Sequence, residues 1–320
     1  MSPSPEGATV GTKPAISIVV PVYNSEGSLD ALASRLIACL EPHTSAFEVI
    51  LVNDGSRDRS WSILEALSQR DARFRAINLM RNYGQHNALL CGIRAARYGI
   101  TVTIDDDLQN PPEEILRLVA TLDDGYDVVY GTPAAEAHGL WRDLASRATK
   151  IALQSTMGAA TARKVSAFRA FRTCTRDAFA AYRSPFVSID VLLTWGTSKF
   201  TSVVVQHEAR TIGVSNYTLR KLITHALNMM TGFSVLPLQV ASLAGFVFTL
   251  FGIGILVYVV GRYMVQGTSV QGFPFLASVI AIFSGAQLFA LGMIGEYLAR
   301  MHFRMMERPP YAVREEKRHE

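Results

Sequence analysis

The chain has 320 residues, 49% of them hydrophobic, with a mean hydropathy of +0.19 and a formal net charge of +4. This length allows one large domain or two ordinary ones, and the hydropathy points to a part of the chain that lives in lipid. The small positive charge, with no basic run interleaved with aromatics, argues against nucleic-acid binding, and the isolated Cys39, Cys91 and Cys174 argue against disulfides or a zinc site.

Residues 1–14 are polar and rich in Pro, Gly and Ser, so a disordered tail is expected there rather than a signal peptide. AISIVVPVY then forms a nearly continuous apolar strand, as a parallel sheet requires. Ser28–Leu40 carries Leu29, Leu32, Leu36 and Leu40 at helical spacing. FEVILVND, RSWSILEALSQR and RAINLM read as strand, helix and strand, and Gln85–Arg97 as a helix. ITVTID alternates like a strand and ends in three aspartates. A helix follows, with Asn110 as its expected cap, Pro111 and Pro112 at its start and Glu113 and Glu114 in its first turn. YDVVYG is a further strand. The alternation implies an α/β fold, a mainly parallel sheet with helices on both faces.

Ligands of such sheets bind at the carboxyl ends of the strands. There the sequence places Asn24 and Glu26, then Asp54, then Arg81 and Asn82, then Asp105–Asp107. The first strand is not followed by G-x-G-x-x-G, and no P-loop lysine motif occurs, so no glycine loop cradles phosphates. Clustered carboxylates without such a loop call for a divalent cation. Asp105 and Asp107 are hard oxygen ligands suited to Mg²⁺ or Mn²⁺, with Gln109 as a further ligand. The bland alternative is a solvated acidic loop.

The apolar material lies near the other end. No Asp, Glu, Lys or Arg occurs from Leu222 to Gly261, nor from Tyr263 to Gly295. Each run holds a helix of the roughly 20 residues that cross a bilayer, expected at 240–260 and 275–297 within residues 235–299. Arg220 and Lys221 precede the pair and Arg300, Arg304 and Arg308 follow it, which predicts the preceding domain and both termini in the cytoplasm. Residues 217–234 read as an interfacial amphipathic helix, and 300–320 as a cytoplasmic tail. His86 is expected in packing or hydrogen bonding rather than catalysis.

IVVPVYN, VNDGS and TIDDDLQNPPEE, in that order, resemble the sugar-nucleotide elements of GT-A glycosyltransferases of family 2. RNYGQHNALLCGI, RTIGVSNYTLRKL, MTGFSVLPLQ and IGEYLAR extend the likeness to the polyprenyl-phosphate glycosyltransferases, over most of residues 16–312. The resemblance implies a GT-A, Rossmann-like domain over residues 15–216, anchored by the helical hairpin in a bacterial inner membrane. It implies inverting transfer from a nucleotide sugar, UDP-linked, to undecaprenyl or another polyprenyl phosphate for the cell envelope, in a homo-oligomer, a tetramer by family likeness.

Carried over by position, Pro21, Tyr23, Glu26 and Asn82 would line the donor pocket, Asp54 would read the base, and Asp105 and Asp107 would hold metal and diphosphate. Arg169 would face the acceptor, and Arg210 and Ser215 would lie on a loop closing over donor and lipid phosphate. Two departures stand out: Asn216 where the family often has lysine, and Val165-Ser166-Ala167 where it often has a Gly-Asp pair. Other readings are a GDP-mannose enzyme like dolichyl-phosphate-mannose synthase, or a non-catalytic scaffold or lipid carrier. A processive synthase is disfavoured by the lack of Q-x-x-R-W.

Overall fold

The computed structural model describes residues 13–133, 165–208, 236–266 and 272–319. The chain runs β1 (Ala15–Val22), α1 (Leu29–Leu40), β2 (Ala46–Asn53), α2 (Ser60–Arg70), β3 (Phe74–Leu79), α3 (Gln85–Ala95) and β4 (Ile100–Thr103). It continues through α4 (Ile115–Leu122), β5 (Val128–Pro133), β6 (Arg169–Arg172), α5 (Ile189–Gly196) and β7 (Phe200–Val205). Two long helices, α6 (Leu236–Gln266) and α7 (Phe273–Met305), precede β8 (Val313–Lys317).

The strands form one sheet in the order β7-β5-β6-β4-β1-β2-β3-β8. β1 pairs in parallel with β2 and β4, β2 with β3, and β5 with β7, whereas β6 and β8 run antiparallel to their neighbours. Alternate strand residues feed two apolar layers, because side chains point to opposite faces of a strand. Ile16, Ile18, Val20, Val49 and Leu51 pack with Leu32 and Leu36 of α1, Leu64 of α2 and Leu118 of α4. Val19, Ile50 and Val52 pack on the other face with Leu89, Leu90 and Ile93 of α3 and Leu192 of α5. Burial on both faces explains why these strands read as unbroken apolar runs.

α6 and α7 each contain a stretch long and apolar enough to cross a membrane, Leu238–Val265 and Ile282–Ala299, and neither stretch is buried. Leu243, Phe246, Leu256, Leu288 and Phe289 are exposed, so these are not core helices of a soluble fold. Phe248 and Phe283 meet edge to face at 5.9 Å between the two.

Three details differ from the sequence reading. Asn110 does not cap a helix: the first turn is a 3-10 turn, Pro112–Glu114, with Pro111 in the capping position and no side-chain cap bond. The Gln85–Arg97 helix stops at Ala95, where Ala96 turns extended. Residues 300–320 are more than a tail, since α7 runs to Met305 and residues 313–317 add an edge strand to β3. That strand, VREEK, is short and charged, and its pairing is specified by distant partners rather than by its own pattern.

Candidate active site

The loops that leave the carboxyl ends of β1 and β2 are laced together. Asn24 (φ +54°) accepts from the Arg57 N–H at 2.8 Å, and its own N–H donates to Ser56 Oγ at 3.0 Å. Glu26 accepts from the Arg59 N–H at 2.9 Å and pairs with that arginine's Nε at 3.3 Å. Asp54, buried at the end of β2, accepts from the N–H groups of Tyr83 at 2.7 Å and Gly84 at 2.8 Å. It thus fixes the turn into α3, and burial raises its pKa against the pull of those N–H groups. Gly55 (φ +69°) allows this approach, since a Cβ there would stand 2.6 Å from the Asn82 nitrogen. Arg81 stacks on the Tyr83 ring at 4.4 Å.

β4 ends early, and the three aspartates after it divide their work. Asp106 accepts from Ser25 Oγ and from the Tyr23 N–H (3.3 Å), tying the ends of β4 and β1. Asp105 accepts from Gln85 Nε2 at 2.6 Å, at the start of α3. Asp107 accepts from the Gln109 N–H at 3.2 Å, while the Gln109 carbonyl accepts from the Glu208 N–H at 2.9 Å. Burial, followed by the charges of Asp107 and Asp106, pushes the Asp105 carboxyl up to about 7. Burial likewise pushes Asp106 up to about 6, against its bonds to Ser25 and Tyr23. Carboxylates crowded to this degree favour a cation at the mouth of β4. Among the described residues no three metal-ligating side chains cluster, so a cation held by Asp105 and Asp107 would need further oxygen ligands from elsewhere. Mg²⁺ and Mn²⁺, which prefer oxygen ligands, would suit such a pair.

Arg169 stands opposite Thr103 in the β4–β6 register, and Thr103 lies two residues before Asp105. Its side chain is 1% exposed, is bonded to Asp190, and donates from Nε to Thr103 Oγ1 at 3.2 Å. Tyr130 Oη donates to the same Asp190 oxygen at 3.1 Å. Arg169, which by resemblance would face the acceptor, is enclosed in this structure, and its charge acts on the crevice through attraction for Asp105.

The structure therefore brings Tyr23, Glu26, Asp54, Asn82, Asp105, Asp107 and Gln109 to one end of the sheet, with Pro21 buried in β1 beneath them. Arg210, Ser215 and residues 217–234 lie outside the described residues. His86 Nδ1 accepts from the Ile189 N–H at 3.4 Å, the hydrogen-bonding role foreseen for it. Sequence reasoning missed Ser25, Gln85, Asp106 as a brace, and Asp190. The triple aspartate was visible, but the partners of its middle member come from another strand end. Asp190 lies 21 residues from Arg169 with no motif to join them.

The glycosyl transferase family 2 model matches residues 17–186, which span every strand end just described. The chain is 36% identical over 301 residues to undecaprenyl-phosphate 4-deoxy-4-formamido-L-arabinose transferase of Pseudomonas syringae, covering 93% of this chain and 89% of that one. The corresponding Pseudomonas aeruginosa protein (strain LESB58) is 38% identical over 307 residues, with the same coverage of both. Among solved structures, glucosyl-3-phosphoglycerate synthase from Mycobacterium tuberculosis, in complex with Mn²⁺, uridine diphosphate and glucosyl-3-phosphoglycerate, shares the fold. Its TM-score is 0.52 at 19% identity, over 68% of this chain and 78% of that one. The fold is GT-A, and the chain is a glycosyltransferase that belongs to family 2.

Proposed function

We propose that this enzyme transfers a sugar from a nucleotide sugar, UDP-linked, to undecaprenyl phosphate, with a divalent metal and inversion at the anomeric carbon. The observation that carries the reading is the pair Asp105 and Asp107 at the mouth of β4, inside a crevice walled by three other strand ends. The names of the relatives support the acceptor, and the two exposed apolar helices support a site of action at a membrane.

Asp105 and Asp107 would hold Mg²⁺ or Mn²⁺, and Gln109, whose backbone carbonyl is occupied by Glu208, would offer its side-chain oxygen. The ion would supply Lewis-acid neutralisation of the departing diphosphate. Tyr23, Glu26, Asn82 and Asp54 would line the donor side, Asp54 by holding the 83–84 backbone as well as by facing the base. The acceptor monophosphate is already an anion at neutral pH, so no strong general base is required. Two anions must nevertheless meet, and Arg210 with Ser215, beyond Glu208 in sequence, would neutralise the incoming phosphate. Arg169 would act by holding Asp105 in place.

The hairpin would cross the inner membrane twice, with the catalytic domain and both termini on the cytoplasmic side. β8 supports this, because a strand after the hairpin that pairs with β3 requires an even number of crossings. The test is a screen of UDP-, GDP- and dTDP-sugars against undecaprenyl phosphate in vesicles, with and without chelator. Transfer from a UDP-sugar that is lost in chelator and reduced by orders of magnitude in Asp107→Asn is expected. Full activity in excess chelator would remove the metal, and transfer from GDP-mannose alone would replace the donor.

A further inference from the structure

The two strands that connect to the hairpin are the two outer edges of the sheet, β7 on one side and β8 on the other. Seven strand spacings separate them, roughly 34 Å of sheet at about 4.8 Å each. β7 runs parallel to β5, and β8 antiparallel to β3, so the end of β7 and the start of β8 both lie at the carboxyl end of the parallel strands. That is the end that bears Asp54 and Asp105–Asp107. The crevice thus opens between two attachments that leave the domain on its own side.

The second attachment is stiff. Only Met306–Pro310 separate the last residue of α7 from Tyr311, at most about 18 Å of chain. Two of these five residues are Pro309 and Pro310, the latter buried, and proline fixes φ. Tyr311 packs against the α3 face of the core, with the Arg94 guanidinium 5.9 Å from its ring. Beyond it, Ala312 accepts from the Met80 N–H at 2.9 Å, and Arg314 donates to the Met80 carbonyl at 3.4 Å. Glu315 accepts from Asn78 at 3.1 Å and Glu316 from Arg75 at 2.9 Å. These bonds secure the strand that leads into Arg81 and Asn82 at the crevice rim.

We infer that Met306–Lys317 is a second, rigid tether that sets the orientation of the crevice to the bilayer surface, and that transfer to an embedded acceptor depends on it. A single attachment would let the domain tumble on the membrane; a stiff strut on the opposite sheet edge removes that freedom. Lipid transfer needs this more than donor binding does, because the nucleotide arrives from solution in any orientation. The inference rests on the proposed acceptor, and the experiment separates the two.

A ten-residue Gly/Ser segment is inserted between Arg308 and Pro309 of the full-length chain, which leaves β8 its partners. Slow exchange of the Met80 amide verifies that β8 remains docked. Transfer is measured to undecaprenyl phosphate in vesicles and to a soluble ten-carbon prenyl phosphate. In parallel, a fluorophore at Asp30→Cys, in a Cys174→Ser background, reports energy transfer to headgroup-labelled lipid. The insertion is expected to lower transfer to the embedded acceptor at least tenfold, to leave the soluble acceptor within twofold, and to broaden the energy-transfer distribution. Equal losses with both acceptors, or no loss with either, would overturn the tether. If the parent protein serves neither acceptor, the acceptor assignment fails by itself. An energy-transfer distribution unchanged by the insertion would then overturn the tether independently.

Discussion

At the scale of single residues, the site is organised by carboxylates that do not share one job. Asp106 braces two strand ends, which leaves Asp105 and Asp107 as the pair proposed to hold a cation. The Asp105 carboxyl is raised from its ordinary 3.8 to about 7, so between those values the folded chain holds a proton that the unfolded chain has lost. Stability of the metal-free protein should therefore fall as pH rises from about 4 to about 7 and level off above. Asp105→Asn should flatten much of that fall, and added Mg²⁺ or Mn²⁺ should reverse it at pH 8; thermal melts in chelator across this range would measure both. Matching profiles for the parent and the variant would contradict the assignment. Arg169 and Asp190 make the opposite case, a buried pair in which each charge needs the other. Arg169→Met should cost about 3–5 kcal/mol in urea denaturation, and adding Asp190→Leu should recover much of it without restoring turnover. The aspartate triplet was legible in the sequence because three like charges after an apolar strand are locally anomalous. The Arg169–Asp190 bond was not, since it joins β6 to the first turn of α5 and neither residue is unusual where it stands.

At the scale of elements, what the sequence made plain was whatever each segment specifies by itself. β1, β2 and β3 are buried on both faces and announce themselves as apolar runs; α1 does so through its leucine spacing. β8 gave no such signal, because VREEK is held by ion pairs and by the edge of β3. Those ion pairs continue into a buried charge cluster at the end of the sheet away from the crevice. Glu48 there accepts from Ser17 at 2.8 Å, from the Arg97 N–H at 2.7 Å and from Arg75 at 3.1 Å, and Arg75 also holds Glu316. The cluster joins β1, β2, β3 and β8, yet touches none of the residues assigned to donor or metal. Glu48→Ala should accordingly lower stability by about 3–5 kcal/mol while kcat of the folded fraction at low temperature stays near that of the parent. Urea titration and initial rates, taken together, would show it; a large drop in kcat with stability intact would place Glu48 in the reaction.

At the scale of the whole molecule, a catalytic domain with two outward connections and a hairpin between them predicts a definite labelling pattern. Gln266→Cys, at the end of α6, should react with an impermeant thiol reagent applied to intact cells. Cys174, exposed in the catalytic domain, should react only after the membrane is opened. Cys91, buried and with its thiol pushed up to about 12, should resist in both conditions and report only on unfolding. The reverse order for Gln266→Cys and Cys174 would invert the topology. The position of β8 also has a consequence for biogenesis. A ribosome completes β7 at Val205 and reaches Val313 only after both helices have been made. At ordinary elongation rates of about 5–20 residues per second, that interval is roughly 5–20 s. Throughout it the nascent domain displays the bare edge of β3, with Arg75 lacking Glu316, and an uncovered edge strand is a template for pairing with other chains. Both apolar helices must thus be made before the enzyme can seal its own sheet, and a chain truncated before Val313 should leave a domain bound by chaperones rather than a soluble, finished one.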